Sequence, residues 1–440
     1  MSLIFSISGL RGLVGKDLTP DIIYQYAAVF GKYIGPGKVM VGRDARKSGF
    51  AYTQAVSDGL GAVGCQVIDL GIVPTPTVLF MVRQCRVKGG IVITASHNPI
   101  AWNALKFIAS KGQFLNQQEF NAFSKKLGMA DFLFRPRTKQ VQSKVLAHSV
   151  DMHIDEIAGI LKPVSEKLKV GVDAVNGAGS IALPRLLETM GCRVYRMNCK
   201  FSSKFPRQPE PRPENIRALC NLVKEKGLDV GVACDPDCDR LSIVDERAKA
   251  IGEDKTLVLA TDFILAHKPG CVVTNLSTTA LMDYITKGYR CRLYRTKVGE
   301  ANVVSKMVKT NAVIGGEGNG GVVYPRINRT RDALVAAAII IKLMVKRGQR
   351  LSQIIAQYPK YYMKKEKLKI SKEKFEARKG RLAKILKGRV NRVDGIRITT
   401  KDYWLHIRPS QTEPFIRIIG EAKDRKQIEE RIRKVKHILS

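Results

Sequence analysis

Two short stretches, Thr94-Ala95-Ser96-His97-Asn98-Pro99 and Asp235-Pro236-Asp237-Cys238-Asp239-Arg240, decide how this chain folds. The first emerges from an apolar run, Gly90 to Thr94, and the second follows another, Val230 to Cys234; both runs read as buried strands. In an open α/β sheet, loops at the carboxyl ends of strands are where ligands bind. Asp235, Asp237 and Asp239 alternate, so an extended loop carries their hard oxygens on one side, an arrangement that suits Mg²⁺. A serine hydroxyl is a weak nucleophile and its phosphate ester a stable store. Ser96 at one strand end and a metal site at another therefore point to phosphoryl transfer. Arg240 adds a cation placed for phosphate, and His97 and Lys106 stand near Ser96 in the chain. An EF-hand loop also opens with alternating aspartates, but it needs glycine at its sixth position and glutamate at its twelfth between two helices. Here Arg240 holds the sixth position and no helix pair flanks Glu246. Read locally, Asn98-Pro99 also has the alternative of an ordinary turn.

The rhythm around these stretches is strand, helix, strand. Thr19-Pro20 is a cap followed by a proline at the first helical position, which predicts a helix to about Tyr33. Strands follow at Lys38 to Gly42 and Gln66 to Leu70, separated by a helix over Ser48 to Gly64. The pattern returns with strands at Val170 to Asp173 and Arg193 to Met197, a helix from Ala182 and another over Glu214 to Lys226. A third round has strands at Cys271 to Leu276 and Arg292 to Thr296, with helices over Thr256 to Leu265 and from Thr279. From about Glu366 the texture changes to a small α+β unit, with strands at Gly395 to Thr399, Trp404 to Arg408 and Phe415 to Gly420. The expected domains are 1–147, 148–249, 250–365 and 366–440. The proline-rich Phe205 to Pro213 reads as an exposed loop.

Composition narrows the function. The 440 residues are 45% hydrophobic and 26% charged, the make-up of a soluble multidomain protein, and the apolar run Ala336 to Ile341 is too short to span a bilayer. Met1 to Gly15 lacks the features of a secretory signal, so a cytoplasmic location is expected, with no membrane partner. Nine scattered cysteines without a CxxC pair argue against a disulfide framework or a zinc site. Lys and Arg number 75 against 39 acidic residues, a formal charge of +36. Lys364 to Lys387 and Arg425 to Lys436 read as amphipathic helices with solvated basic faces, and no nucleic-acid-binding motif accompanies them. Such a field raises the local concentration of phosphorylated substrates.

Three further loops carry polar groups. In Gly315-Gly316-Glu317-Gly318-Asn319-Gly320-Gly321, a carboxylate and a carboxamide between glycines are good partners for sugar hydroxyls, unless the loop is a plain hairpin turn. Arg408-Pro409-Ser410-Gln411-Thr412-Glu413-Pro414 with Arg417 offers two guanidinium forks and two hydroxyls, as a phosphate dianion requires. Ser6-Ile7-Ser8-Gly9-Leu10-Arg11-Gly12 offers one arginine to a phosphate or is a simple loop.

Taken together, in this order and spacing over nearly the whole chain, the five segments resemble the α-D-phosphohexomutase family. The resemblance implies three related α/β domains plus a C-terminal TATA-box-binding-protein-like α+β domain around a central cleft. It implies that Ser96 carries the phosphoryl group and, with Asp235, Asp237 and Asp239, holds Mg²⁺. Arg11 and Lys106 would assist the transfer, Glu317 and Asn319 would take sugar hydroxyls, and Arg408, Ser410, Gln411, Thr412 and Arg417 would hold the substrate phosphate; beside them, read from the residues alone, His97 bonds an oxygen in the transfer or simply caps its loop, and Arg240 binds substrate phosphate. A sugar 1,6-bisphosphate would be activator and intermediate, in a monomer or homodimer without a specific nucleic-acid partner. Two departures, Ile7 for the commoner threonine and Gln411 for asparagine, remove no charge. The Gly-Glu-Gly-Asn-Gly-Gly loop and Asp332-Ala333-Leu334-Val335 resemble archaeal-type phosphoglucosamine mutases, which favours glucosamine phosphate over the phosphomannomutase/phosphoglucomutase alternative. A non-catalytic basic protein binding phosphosugar or nucleic acid is the remote alternative.

Overall fold

The computed structural model describes residues 3–129, 142–410 and 415–439. Thr19 caps the first helix by accepting the Ile22 amide, Pro20 takes the first helical position, and the helix runs Pro20–Ile34. Gly37–Arg43 then pairs in parallel with Cys65–Ile72 and Gly89–Ile93, and the chain returns antiparallel to the last as Trp102–Ala109. The next unit repeats the plan. Lys169–Asp173 lies between Arg193–Met197 and Val230–Cys234 in parallel, and Leu241–Asp245 returns antiparallel. A third unit sets Val272–Asn275 between Leu293–Thr296 and Ile314–Glu317, with Gly321–Val323 returning.

All three units thus share one strand order, although their sequences barely resemble one another. The turn from the third strand into its returning partner carries, unit by unit, Ser96, the three aspartates and the glycine-rich loop. In the first unit, further strands extend the sheet to eight. Helix Ala333–Arg347 joins the second and third units, and Ala333 to Ile341 are all buried in a core that includes Val170, Val232, Val272 and Ile314. A helix apolar all round belongs in an interior. Among the described residues no helix is long and apolar enough to cross a membrane.

The fourth domain is a five-stranded antiparallel sheet in the order Tyr362–Leu368, Ile416–Ala422, Tyr403–Pro409, Ile396–Thr399, Arg389–Asn391. Helices Lys372–Leu386 and Arg425–Leu439 pack on the face bearing Ile398, Leu405, Ile407 and Ile418.

Three expectations need correction. Lys364 to Lys387 is not one helix, because Tyr362–Leu368 is an edge strand whose lysines keep the open edge charged, and the helix begins only after Ser371 caps it. A border between residues 365 and 366 would therefore cut a strand that belongs to the fourth sheet. Glu214 to Lys226 is a 3₁₀ turn, Pro213–Asn215, followed by the helix Arg217–Lys226, since Pro213 starts a tight turn that Ile216 leaves.

Gly320 ties the second unit to the third. Its carbonyl accepts the Leu241 amide at 3.0 Å. Its φ is +87°, and a Cβ there would stand 2.5 Å from the Leu241 oxygen. Gly320→Ala is expected to cost about 1–3 kcal/mol, read as a lower urea midpoint with unchanged slope. An unaltered midpoint contradicts this account of the junction.

Candidate active site

Ser96 sits just past strand Gly89–Ile93 with φ +50°, a left-handed conformation that a side chain pays for in strain. What holds it there is Arg46. That guanidinium, 3% exposed, donates to the carbonyls of Ser96 and Asn98 at 2.8 Å, of Pro99 at 2.8 Å and of Trp102 at 3.0 Å, and to Asp44 at 2.9 Å. Thr94 Oγ1 accepts the Ser96 amide and donates to Asp44. The hydroxyl of Ser96 donates to Asp235 Oδ2 at 2.9 Å and lies 3.3 Å from His97 Nδ1. Burial, with Arg240 and Arg11 nearby, pushes the His97 pKa far down, so its ring is neutral. Arg11 is held beside the loop by Asn98 Oδ1 at 3.3 Å.

One carboxylate oxygen from each of Asp235, Asp237 and Asp239 lies within 4.8 Å of the other two, and all three residues are buried. Cys238 between them has φ +57°, which lets the loop turn back on itself. Burial and the neighbouring Asp239 and Asp237 push the Asp235 carboxyl well up. Burial acts to raise Asp237, but Lys106 Nζ at 2.7 Å, with hydrogen bonding from Asp235 and from Thr75 at 2.9 Å, outweighs it and holds the carboxyl low. Asp237 Oδ1 and Asp239 Oδ1 are buried and have no hydrogen-bond partner. Oxygens left this way fit a divalent cation. Arg240 donates to Glu210 at 3.0 Å, and its Nε lies 3.8 Å from Asp239.

The glycine-rich loop is a tight hairpin, with Glu317 opposite Gly321. Glu317 Oε1 accepts from Asn275 Nδ2 at 2.8 Å and from the Gly299 amide at 2.9 Å, while Asn319 accepts the Gly321 amide. Arg331 links this loop to the aspartates, donating to Asp239 at 2.5 Å, to Glu317 at 3.3 Å and to Glu300 at 3.1 Å. Burial works against its charge, but Asp239, Glu300 and Glu317 hold the guanidinium well above its ordinary pKa.

On the fourth sheet Arg408 and Arg417 are cross-strand partners. Arg408 is 6% exposed, with its Nε buried without a hydrogen bond and 4.0 Å from Asp394 Oδ2, and burial lowers its pKa while Asp394 and Glu317 oppose that. Ser410 Oγ is likewise buried without a partner. Gln411 and Thr412 lie outside the described residues. The structure therefore gathers Ser96, His97, Arg11, Lys106, Arg240 and the three aspartates into one cluster. Glu317 joins it through Arg331, and Arg408 on the fourth sheet feels the charge of Glu317.

Sequence reasoning missed Arg46, Thr75, Arg331 and the loop over Phe205 to Pro213, whose Arg207 clasps Asp173 and the Cys234 carbonyl and whose Glu210 holds Arg240. No local pattern marks Arg331, whose partners Glu317 and Asp239 lie 14 and 92 positions away. Arg331→Met takes the shared counter-charge from Asp239, Glu317 and Glu300, and losing one side of a buried pair costs about 3–5 kcal/mol. Arg331→Lys should restore only part of this, because an ammonium cannot reach three carboxylates in a fork. Urea unfolding of both variants measures the difference, and wild-type stability in Arg331→Met contradicts the assignment.

Residues 2–131, 151–250 and 252–362 match the profiles described as phosphoglucomutase/phosphomannomutase alpha/beta/alpha domains I, II and III, respectively. A phosphoglucomutase/phosphomannomutase of Thermococcus kodakarensis is 35% identical, over 98% of this chain and 97% of that one. A probable phosphoglucosamine mutase of Methanopyrus kandleri is 34% identical, over 98% and 96%. Among solved structures, a phosphoglucomutase/phosphomannomutase family protein from Burkholderia thailandensis superposes with a TM-score of 0.87 at 25% identity, covering 99% of this chain and 98% of that one. Matched in every α/β unit and aligned end to end with such relatives, the chain belongs to the phosphoglucomutase/phosphomannomutase family of α-D-phosphohexomutases.

Proposed function

We propose that this phosphohexomutase interconverts glucosamine 6-phosphate and glucosamine 1-phosphate through phospho-Ser96 and a glucosamine 1,6-bisphosphate. The observation that carries the mechanism is the Ser96 hydroxyl on Asp235 at 2.9 Å, beside two aspartate oxygens that are buried without a hydrogen bond. Asp235, Asp237 and Asp239 would hold Mg²⁺, which when bound supplies the charge neutralisation that phosphoryl transfer needs. In the forward step the bond from phosphorus to Ser96 Oγ breaks and one to the free sugar hydroxyl forms. The proton of that hydroxyl passes to Oγ, and neutral His97, 3.3 Å away, is the group able to relay it. Lys106 and Arg11 bring positive charge to the oxygens in flight. The bisphosphate turns over, and its other phosphate returns to Ser96 by the same step reversed. Arg408, Ser410 and Arg417, with Gln411 and Thr412, would grip the phosphate that is not reacting. Glu317, already fixed by Asn275, Gly299 and Arg331, would accept from sugar hydroxyls.

Glucosamine is supported by the Gly-Glu-Gly-Asn-Gly-Gly loop and by relatives named probable phosphoglucosamine mutase. The second reading, phosphoglucomutase/phosphomannomutase, has the name of the 35% identical relative in its favour.

Ser96→Ala is expected to lower turnover by several orders of magnitude while leaving the fold intact, and wild-type rates in that variant would sink the phosphoserine reading. For specificity, kcat/KM is to be compared for glucosamine 1-phosphate, glucose 1-phosphate and mannose 1-phosphate, with Mg²⁺ and a sugar bisphosphate present. A ratio above one in favour of glucosamine over both competitors is expected. A ratio below one against either gives the specificity to the second reading and leaves the mechanism standing.

A further inference from the structure

Only one face of the fourth sheet is covered by its own helices; strand alternation puts Arg397, Trp404, His406, Arg408 and Glu421 on the other. Between that face and the third unit lies a cavity of about 750 Å³, which contains none of the residues assigned above to the reaction. This is the size of a small-molecule site. On its wall, Arg397 is 6% exposed and stacks on Trp404 with its guanidinium 4.7 Å from the ring centre. Its Nε is buried without a hydrogen-bond partner, and among the described residues the side chain forms no ion pair.

Of the three carboxylates that also line the cavity, Asp402 is exposed to solvent and the other two are committed elsewhere. Asp283 takes Arg295 at 2.6 Å, and Glu421 accepts from the Ala280 amide at 2.6 Å and Trp404 Nε1 at 2.7 Å. Lys287, Arg389 and Lys401 stand exposed around the rim. A buried guanidinium without an ion pair of its own is costly, Asp283 and Glu421 offset only part of that cost, and Lys287, Arg295, Arg389, Arg397 and Lys401 outnumber Asp283, Asp402 and Glu421 around the cavity, which leaves it positive.

We propose that this cavity binds a phosphate-bearing small molecule of nucleotide size, with its phosphate on Arg397 and its ring against Tyr284 and Tyr361. The site has a built-in line to the reaction. Trp404 and Arg408 lie on one face of the same strand, about 13 Å apart at roughly 3.3 Å per residue. Between them His406 meets Ser277 at 2.8 Å, one of the contacts that set the fourth domain on the third; the Val298 amide to Asp394 at 2.9 Å is another. A ligand wedged beside these contacts fixes the angle at which Arg408 and Arg417 face Ser96. This effect on turnover rests on the proposed function, whereas binding in the cavity does not.

Calorimetry with uridine diphosphate and with inorganic phosphate tests the site on the full chain. Arg408→Ala is used as the background so that heat from the phosphate clamp is removed. Uridine diphosphate should bind this background at one site, and Arg397→Gln should raise Kd about ten- to a hundredfold, as loss of a charge-assisted hydrogen bond does. The exposed pair Arg389→Glu/Lys401→Glu cannot unfold a core, should weaken binding in the same direction, and decides the matter if Arg397→Gln does not fold. Absence of binding, or affinity that neither change alters, overturns the proposal. Inorganic phosphate binding as tightly as uridine diphosphate overturns the ring contact. A wild-type chain without mutase turnover refutes the proposed function and leaves the calorimetric result as it stands.

Discussion

Burying three carboxylates within 4.8 Å of one another is the constraint on which this structure depends. In a medium of low polarity such charges repel strongly, and leaving them unpaired costs several kcal/mol each. The chain meets this by drawing a cation from each of the three α/β units: Lys106 from the first, Arg240 from the second and Arg331 from the third. Each pairing crosses a cleft or closes a loop. The same charges that make the site chemically capable therefore hold the units in register, and pulling any one away would take a counter-charge from a buried carboxylate.

That convergence follows from topology. The three units share one strand order, and in each the turn from the third strand into its antiparallel return carries the polar groups. These turns are tight and use left-handed backbone, at Ser96, Cys238 and Gly320. Strain of this kind persists only when the surroundings over-determine it. Arg46, with every hydrogen bond aimed at the carbonyls of one loop or at Asp44, does so for Ser96. Arg207 and the proline-rich loop do so for the aspartates.

Much of this was legible in the sequence because it is local. Apolar runs such as Val230 to Cys234 marked the parallel strands, Thr19-Pro20 marked a helix start within a residue, and the alternation of Asp235, Asp237 and Asp239 marked a shared face. What was hidden is what depends on distant partners. Nothing near Arg46 announces that it grips residues 50 to 56 positions on, nor near Arg331 that it spans two loops. The lysines of the edge strand Tyr362–Leu368 suit the solvated face of an amphipathic helix as well as they suit a strand edge, and an edge strand needs only one good neighbour, here Ile416–Ala422. The resemblance of short motifs supplied residue roles that spacing alone would have left open between a site and a turn.

The excess of basic residues, 75 against 39 acidic, surrounds this site with a field that favours phosphorylated ligands. The central claim is that Ser96 is a way-station for the phosphoryl group, and a chase tests it most directly. Enzyme labelled with isotopic phosphate on Ser96 is mixed with excess unlabelled glucosamine 1-phosphate and Mg²⁺, and quenched within a single turnover. The account predicts that label leaves Ser96 and is found in bisphosphate and glucosamine 6-phosphate at the rate of turnover. Label that stays on Ser96 while product forms would contradict it.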